Sequence, residues 1–383
     1  MSIQRKTVCW VLMFLLNSLF VSSVLAFNAS VNSSYTYDSN VFKSKENKSS
    51  DFIMIVSPKL STEFPYKNFK IGGAYSTDYG RYVERPTQDY LTQNLAFSFD
   101  SGSRSRFALK AGYAYKSAFD VRGESDSNPT STETPDVWVS HSQDAALKYR
   151  NAERTSSYEI SYGYTKKLFG LEESEIKNFD SLLLKFTNDY KLSGRSRAYY
   201  SIDRQTIKYM SSSDAQFDSS EMGYLVGVDW VSSGKTESLI EFGWKTKINE
   251  AGGDQVFSGL VTNIKLNWAH KSYSRYKLIL SRSTKTSPSN NATNLVTNIF
   301  SLGWTHQFTR KLSTSLKWDN SYNQYNTGQS DLLSAISPSL MVNVTRWFSI
   351  TPNFKWNMKK SSMPNLEYDS YVISVLFNLK YLR

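Results

Sequence analysis

The chain has 383 residues and a formal net charge of +11, with a single cysteine and 15% aromatic residues, among them 25 Tyr, 22 Phe and 9 Trp. One cysteine excludes a domain held together by disulfides. The mean hydropathy of −0.45 is that of a polar chain, so the aromatic content needs an architecture that shows apolar rings and polar groups side by side.

The first predicted element is a leader. Arg5 and Lys6 form a short positive region, Val8 to Leu19 is apolar, and Val24-Leu25-Ala26 has the small-residue pattern of a cleavage site. This order is that of a secretory signal peptide, so residues 1–26 are expected to be removed and the mature chain to begin at Phe27. An N-terminal membrane anchor fits less well, because Asn17 and Ser18 interrupt an apolar run already short for the roughly 20 residues that span a bilayer. Cys9 lies inside the leader and is followed by Trp10, away from any lipid-attachment point. The mature protein is therefore expected to carry no thiol.

From residue 27 onward no stretch approaches a transmembrane helix, and the dominant signal is alternation with a period of two. Phe107, Leu109, Ala111, Tyr113 and Tyr115 alternate with Arg106, Lys110, Gly112 and Lys116. Ile264, Leu266 and Trp268 alternate with Asn263, Lys265 and Asn267, and Leu312, Leu316 and Trp318 with Ser313, Ser315 and Lys317. Phe348 to Asn357 and Tyr371 to Tyr381 repeat the pattern. Alternation alone suits a soluble sandwich equally well, and the connections separate the two. Short polar turns, such as Pro65–Asn68, Ser193-Gly194 and Thr345-Arg346, take turns along the chain with longer segments. The longer ones include Lys43–Ser50, Gly80–Thr87, Asp120–Asp136, Lys166–Asn178 and Lys359–Asn365. A sandwich has no reason to sort its loops by parity. An outer-membrane barrel has one, with short turns on the periplasmic rim and long loops on the extracellular rim.

The expected fold is therefore all-β. Residues 27–383 form a single transmembrane antiparallel barrel of about 18 strands, with both termini in the periplasm of a Gram-negative cell. Closure leaves no unpaired edge, which lets a chain without disulfides stay ordered in lipid. Aromatic residues are expected in the two interfacial girdles. The barrel insertion machinery commonly reads a terminal aromatic residue; here Tyr381 stands two residues upstream of Arg383.

Motifs for catalysis are absent. His141, His270 and His306 have no metal-ligand spacing, no nucleophile elbow occurs, and no cofactor is expected. The polar face of the strands carries the chemistry instead. With the aromatic-rich face turned outward, the lumen receives Arg106, Lys110, Lys116, Lys148, Lys185, Lys245, Lys247, Lys265, Lys317, Lys355 and Lys380, opposed by Glu159, Asp203, Glu241 and Asp319. An excess of fixed positive charge in a narrow aqueous channel concentrates anions. Equally, any barrel lumen must be polar, and lysines near a rim can simply snorkel toward lipid phosphates. Nucleic acid is not an expected partner of an exported protein. Outer-membrane lipid, lipopolysaccharide phosphates and an acidic polysaccharide are.

The start of the mature chain carries a more specific pattern. Tyr35-Thr36-Tyr37-Asp38-Ser39-Asn40-Val41-Phe42 leads through a short loop to Asp51 and on to Ser57-Pro58-Lys59-Leu60, followed by Tyr75, Tyr79 and Asp89-Tyr90. It resembles the β-barrel porin family encoded beside exopolysaccharide synthesis and export genes, the VpsM-like outer-membrane proteins. The resemblance is sharp from Tyr35 to about Phe99 and general beyond. It implies a channel that takes part in exporting an exopolysaccharide, for biofilm matrix or capsule, in a polymerase-dependent system. The implied partners are a periplasmic polysaccharide-export protein and an inner-membrane co-polymerase. It implies no catalytic residues. Tyr37, Asp38, Asn40, Phe42 and Pro58 are signature positions of structural character, with a first-hairpin turn at Asp38 and Asn40 and a strand rim at Pro58. A general or anion-selective diffusion porin stays open as an alternative, as does a non-conducting structural or adhesive barrel using its long loops.

Overall fold

The computed structural model describes residues 26–102, 105–123, 134–210, 212–232, 234–250 and 252–382. Residues 1–25 of the expected leader, Cys9 included, and the centre of the Asp120–Asp136 loop lie outside the described residues.

Eighteen strands follow one another in chain order. The first six are β1 (Ala26–Asp38), β2 (Asp51–Tyr66), β3 (Phe69–Tyr82), β4 (Tyr90–Asp100), β5 (Phe107–Phe119) and β6 (Val137–Arg150). The next six are β7 (Ser156–Phe169), β8 (Phe179–Ser193), β9 (Ser196–Tyr209), β10 (Ser219–Ser232), β11 (Thr236–Asn249) and β12 (Gln255–Lys271). The last are β13 (Ser274–Ser287), β14 (Ala292–Gln307), β15 (Leu312–Tyr325), β16 (Ser330–Asn343), β17 (Phe348–Ser361) and β18 (Tyr368–Leu382). Each pairs antiparallel with the next, and β1 pairs with β18, so the sheet closes on itself.

Paired residues share a face, so the register assigns every side chain to one side of the wall. Tyr35 opposes Met54 on β2 and Val375 on β18, while Ser30 opposes Lys59 and Lys380. The apolar member of each alternation faces outward. Phe52, Tyr79, Phe97, Ile160, Tyr224, Trp244 and Ile373 are all exposed there. The molecule has no ordinary core, and its apolar surface is a band around the outside. A contiguous exposed apolar surface of this extent belongs in lipid. A 14-residue strand tilted by about 40° rises about 35 Å, more than the apolar band of about 25 Å, so the strands project beyond it. No helix among the described residues is long and apolar enough to cross a membrane; the strands make the crossing.

From β1 to β13 the connections sort by rim as expected, whereas the four connections from β13 to β17 are four residues each on both rims, so the segments at Ser287–Ala292 and Gln324–Gln329 are not long loops. Turns of two residues join β2 to β3, β8 to β9 and β12 to β13, with Lys67 at φ 48 and Gly194 at φ 44, the left-handed conformation that tight hairpins need. The opposite rim carries the long loops. There the strands run further than their polar sequence suggests. Gly80 to Tyr82 belongs to β3 and Lys166 to Phe169 to β7, because above the lipid both faces of a strand can be polar.

Pro58 departs from its expected place at a strand rim. It sits mid-strand in β2, facing outward opposite Val31, and the ladder to β3 skips Ser57 and Pro58. A proline has no N–H to give the ladder, and the wall tolerates the gap because β1 holds the strand on its other side. Pro338 interrupts the β16–β17 ladder in the same way.

On the inner face several glycines let a neighbour's side chain lie flat against the wall. Gly80 opposes Tyr90, and a Cβ at Gly80 would clash with Cε1 and Cζ of the Tyr90 ring. Gly80→Ala is expected to lift that ring off the wall and destabilise the barrel by about 1–3 kcal/mol. The loss would be read as a lower temperature at which the compact band disappears on a semi-native gel. Adding Tyr90→Ala should restore part of it.

Candidate solute pathway

The register turns Lys110, Lys116, Lys148, Lys185, Lys245, Lys247, Lys265, Lys317, Lys355 and Lys380 to the inner face. Arg106 is the exception. It stands in the short turn one residue before β5 and is exposed at the rim, because the polar side of its alternation runs on past the end of the strand. Lys110, Lys116, Lys265, Lys317 and Lys355 are exposed although they point into the barrel. The exposure is to the lumen, which is open at those heights.

The inward cations fall into two groups. On β6–β11 most are matched by carboxylates, with Lys185 making no ion pair among the described residues. Lys148 lies 2.9 Å from Asp189 and 3.5 Å from Glu159, and Arg197 lies 2.7 Å from Asp189. Nearer the long loops, Lys245 is 3.4 Å from Asp203 and 3.6 Å from Glu221, and Lys247 is 3.5 Å from Glu221. Lys247 also donates to Thr286 Oγ1 at 2.6 Å. Glu241 accepts from the Tyr199 hydroxyl at 2.6 Å.

On β12–β18 the balance is different. Among the described residues, the only carboxylates the register turns inward on these strands are Asp319 and Asp331. Asp319 is held by Lys317 at 2.8 Å and Asp331 by Lys359 at 3.2 Å. Lys265, Arg275, Lys277, Lys285, Lys355 and Lys380 face the same lumen, all exposed. Arg275, Lys277 and Lys285 were not among the candidates read from the alternation, although Tyr276, Leu278 and Leu280 on the outer face mark them by the same rule. The β12–β18 wall of the lumen is thus a cation surface, and most of the inward ion pairs lie on β6–β11.

Toward the long loops, loop segments meet one another across the wall. The loops carry short 3-10 turns at Glu172–Lys177, Ser212–Phe217 and Pro288–Asn290. Glu172–Lys177 meets Pro288–Asn290, and Ser212–Phe217 meets β14. The first pair is rooted six hairpin strands apart, so these loops reach inward across the mouth rather than outward. Phe217 of the second turn is buried, as are Ala292, Leu295 and Tyr325, which cluster at the start of β14 and the end of β15.

Lys177 is the centre of this layer. It is 3% exposed and lies 2.6 Å from Asp120 and 2.7 Å from Asp136, with the Phe169 ring 4.1 Å below its Nζ. Ser174 Oγ donates to Asp136 at 2.7 Å. Burial works to lower the Lys177 pKa, but the hydrogen bonds and charges of the two aspartates outweigh it and hold the ammonium above the ordinary value of 10.5. Other cations of the mouth rest on rings: Arg85 and Arg122 on either approach to Phe42, at 5.6 and 4.8 Å, and Lys167 on Trp138 at 4.2 Å.

The signature residues lie where the barrel closes. Tyr37 packs outward between Phe52 and Tyr371. Asp38 pairs with Lys43 at 2.7 Å. Asn40, fully buried, donates to Ser44 O at 2.7 Å and to Asp369 O at 3.1 Å, fastening the first loop to the last strand. His141 faces outward between Tyr113 and Tyr115. His270 and His306 sit by the short turns beside Trp268 and Trp304. No three ligand-type side chains among the described residues converge on a metal position.

Solved structures of the same shape are outer-membrane channels. Pseudomonas aeruginosa OccK2 (OpdF) aligns with a TM-score of 0.53 at 10% identity, covering 94% of this chain and 98% of its own. P. aeruginosa OpdQ gives 0.52 at 10% identity, covering 94% and 100%. Acinetobacter baumannii OccAB3 gives 0.50 at 8% identity, covering 93% and 99%. At these identities the likeness is one of fold. A comparison with curated proteins finds no match. The family model described as "Putative beta-barrel porin 2" matches residues 26–381, all but the first 25 and the last two residues, and the chain belongs to that family of outer-membrane porins.

Proposed function

We propose that this chain is a diffusion channel that favours anionic solutes. The observation that carries the reading is the β12–β18 wall, where Lys265, Arg275, Lys277, Lys285 and Lys355 face open lumen while Asp319 and Asp331 are already engaged by lysines. In a confined aqueous space such fixed charge raises the local anion concentration and depletes cations. The preference should weaken as salt rises, because the screening length shortens from about 10 Å at 0.1 M to about 3 Å at 1 M. Single channels in a planar bilayer under a KCl gradient should give a zero-current potential of the sign set by chloride, shrinking as both baths are concentrated. A potential of the opposite sign, or none at low salt, would refute it.

A second reading, passage of an acidic exopolysaccharide, draws on the family resemblance. The cations beside Phe42 and Trp138 at the mouth favour it, since sugar faces stack on aromatic rings and their carboxylates pair with cations. Under this reading the channel works with a periplasmic polysaccharide-export protein and an inner-membrane co-polymerase, after export directed by residues 1–26. An acidic oligosaccharide would block the chloride current from the periplasmic side, and deleting the gene would remove surface polysaccharide. Unblocked current together with normal matrix would leave the simple porin.

A further inference from the structure

The outer face of β9–β12 carries a groove of about 380 Å³ lined by Tyr200, Ile202, Tyr224, Val226, Phe242, Trp244 and Leu260, a size within the range of small-ligand sites. Its lining is almost wholly apolar, and these side chains face lipid. Trp244 is pinned as one flank by its Nε1–H donating to Ser258 Oγ at 3.0 Å.

The register shows what lies above it. Ile202, Tyr224, Trp244 and Leu260 form one row around the barrel. The next outward row on the long-loop side is Arg204, Met222, Thr246 and Ser258. An apolar groove therefore ends in a lip that is polar except at Met222, at the height where lipid heads begin, with an exposed arginine at one corner. Lys208 follows two outward positions higher on β9 and is also exposed. Neither Arg204 nor Lys208 makes an ion pair among the described residues. The nearest outward carboxylate by register is Asp180, opposite Lys208, and it already accepts from the Tyr164 hydroxyl at 2.9 Å.

We infer that this groove is a binding site for a phosphorylated glycolipid of the outer leaflet, lipid A, with an acyl chain in the groove and a phosphate on Arg204 and Lys208. Three features converge on an anionic amphiphile of that orientation: the apolar floor, the cationic corner, and the corner's position on the long-loop side, which faces the cell exterior. A guanidinium forks onto phosphate oxygens through two N–H donors, and Arg204, facing lipid below the rim, has no ion-pair partner among the described residues. The site is separate from the lumen and independent of what the channel conducts.

The test uses the full-length barrel, purified and stripped of lipid in detergent, with retention of added lipid followed by native mass spectrometry and by the fluorescence change that Trp244→Phe removes. Bisphosphorylated lipid A should bind. Arg204→Gln with Lys208→Gln should weaken it roughly tenfold or more, from the loss of two surface charges. Fully dephosphorylated lipid A should bind the wild type as weakly as that variant binds the parent lipid. Val226→Trp, which fills the groove and leaves both cations in place, should also abolish retention, while a heat-modifiable gel band reports that each variant is folded. Equal binding of lipid A by the wild type and the charge variant would overturn the proposal. So would equal binding by the groove variant, or competition by inorganic phosphate alone at full effect.

Discussion

Replacing Lys265, Lys277 and Lys355 by glutamate should turn an anion-preferring channel into a cation-preferring one. Each substitution moves the cationic wall by two charges, and none removes an existing ion pair among the described residues. Lys265 sits by register between Leu239 and Ile279, Lys277 between Asn267 and Gly303, and Lys355 opposite Val372. All three are exposed to lumenal water, so the cost in stability should stay within about half a kcal/mol each, as for surface positions. The measurement is the zero-current potential under a salt gradient, which should change sign while conductance keeps its order of magnitude. The corresponding glutamine triple should fall between. An unchanged potential in the glutamate triple would mean that the β12–β18 wall does not set selectivity.

Lys177→Met should open the mouth. The substitution removes the ammonium of the β7–β8 loop that bridges Asp120 and Asp136 of the β5–β6 loop; Lys167 still reaches Asp120, but Asp136 is left buried without its cation. Breaking a buried pair from one side costs about 3–5 kcal/mol. Loop segment 170–178 keeps its Ser174–Asp136 and Gly170–Val137 hydrogen bonds and its contact with Pro288–Asn290, all of them outside the strand ladder, so that cost should be relieved by the loop loosening, not by the barrel unfolding. Conductance should rise and its fluctuations increase, with the melting of the barrel little changed. Adding Asp136→Asn, which removes the stranded charge, should bring the current back toward that of the wild type. A wild-type current in Lys177→Met would show that these loops do not limit flow. The pH dependence follows from the raised Lys177 pKa. A cation with a folded pKa above its ordinary value contributes its full stability below 10.5 and loses it as the pH climbs past the folded value. From this group, therefore, the current should hold constant across neutral and mildly alkaline pH and rise only in strong alkali.

Much of this architecture was legible in the residues before any coordinates. The alternation in Phe107 to Lys116 and Tyr371 to Tyr381 set the inward and outward faces, because the side-chain period of a strand is two whatever its neighbours do. The parity of short and long connections set the rims. Lys110, Lys265 and Lys355 were placed in the lumen on that basis alone, and the register puts them there. Where local pattern stopped being informative, the reading failed for identifiable reasons. Arg106 continues the polar phase but lies beyond the strand. Pro58 looked like a rim residue, yet it lies mid-wall because a neighbouring strand supplies the ladder it cannot.

What the sequence determined by itself was periodic: strands, faces, rims and an approximate number of staves. What only the tertiary structure decided was which charges meet. Lys148, Lys245 and Lys265 read alike along the chain, and pairing across three strands leaves the last one free. The mouth is closer still to a tertiary fact, since Glu172–Lys177 and Pro288–Asn290 are more than a hundred residues apart and touch only because the sheet has curled around. A fixed repeat writes itself into neighbouring residues, whereas the sign of a field and the width of a channel depend on distances that exist only once the ring is closed.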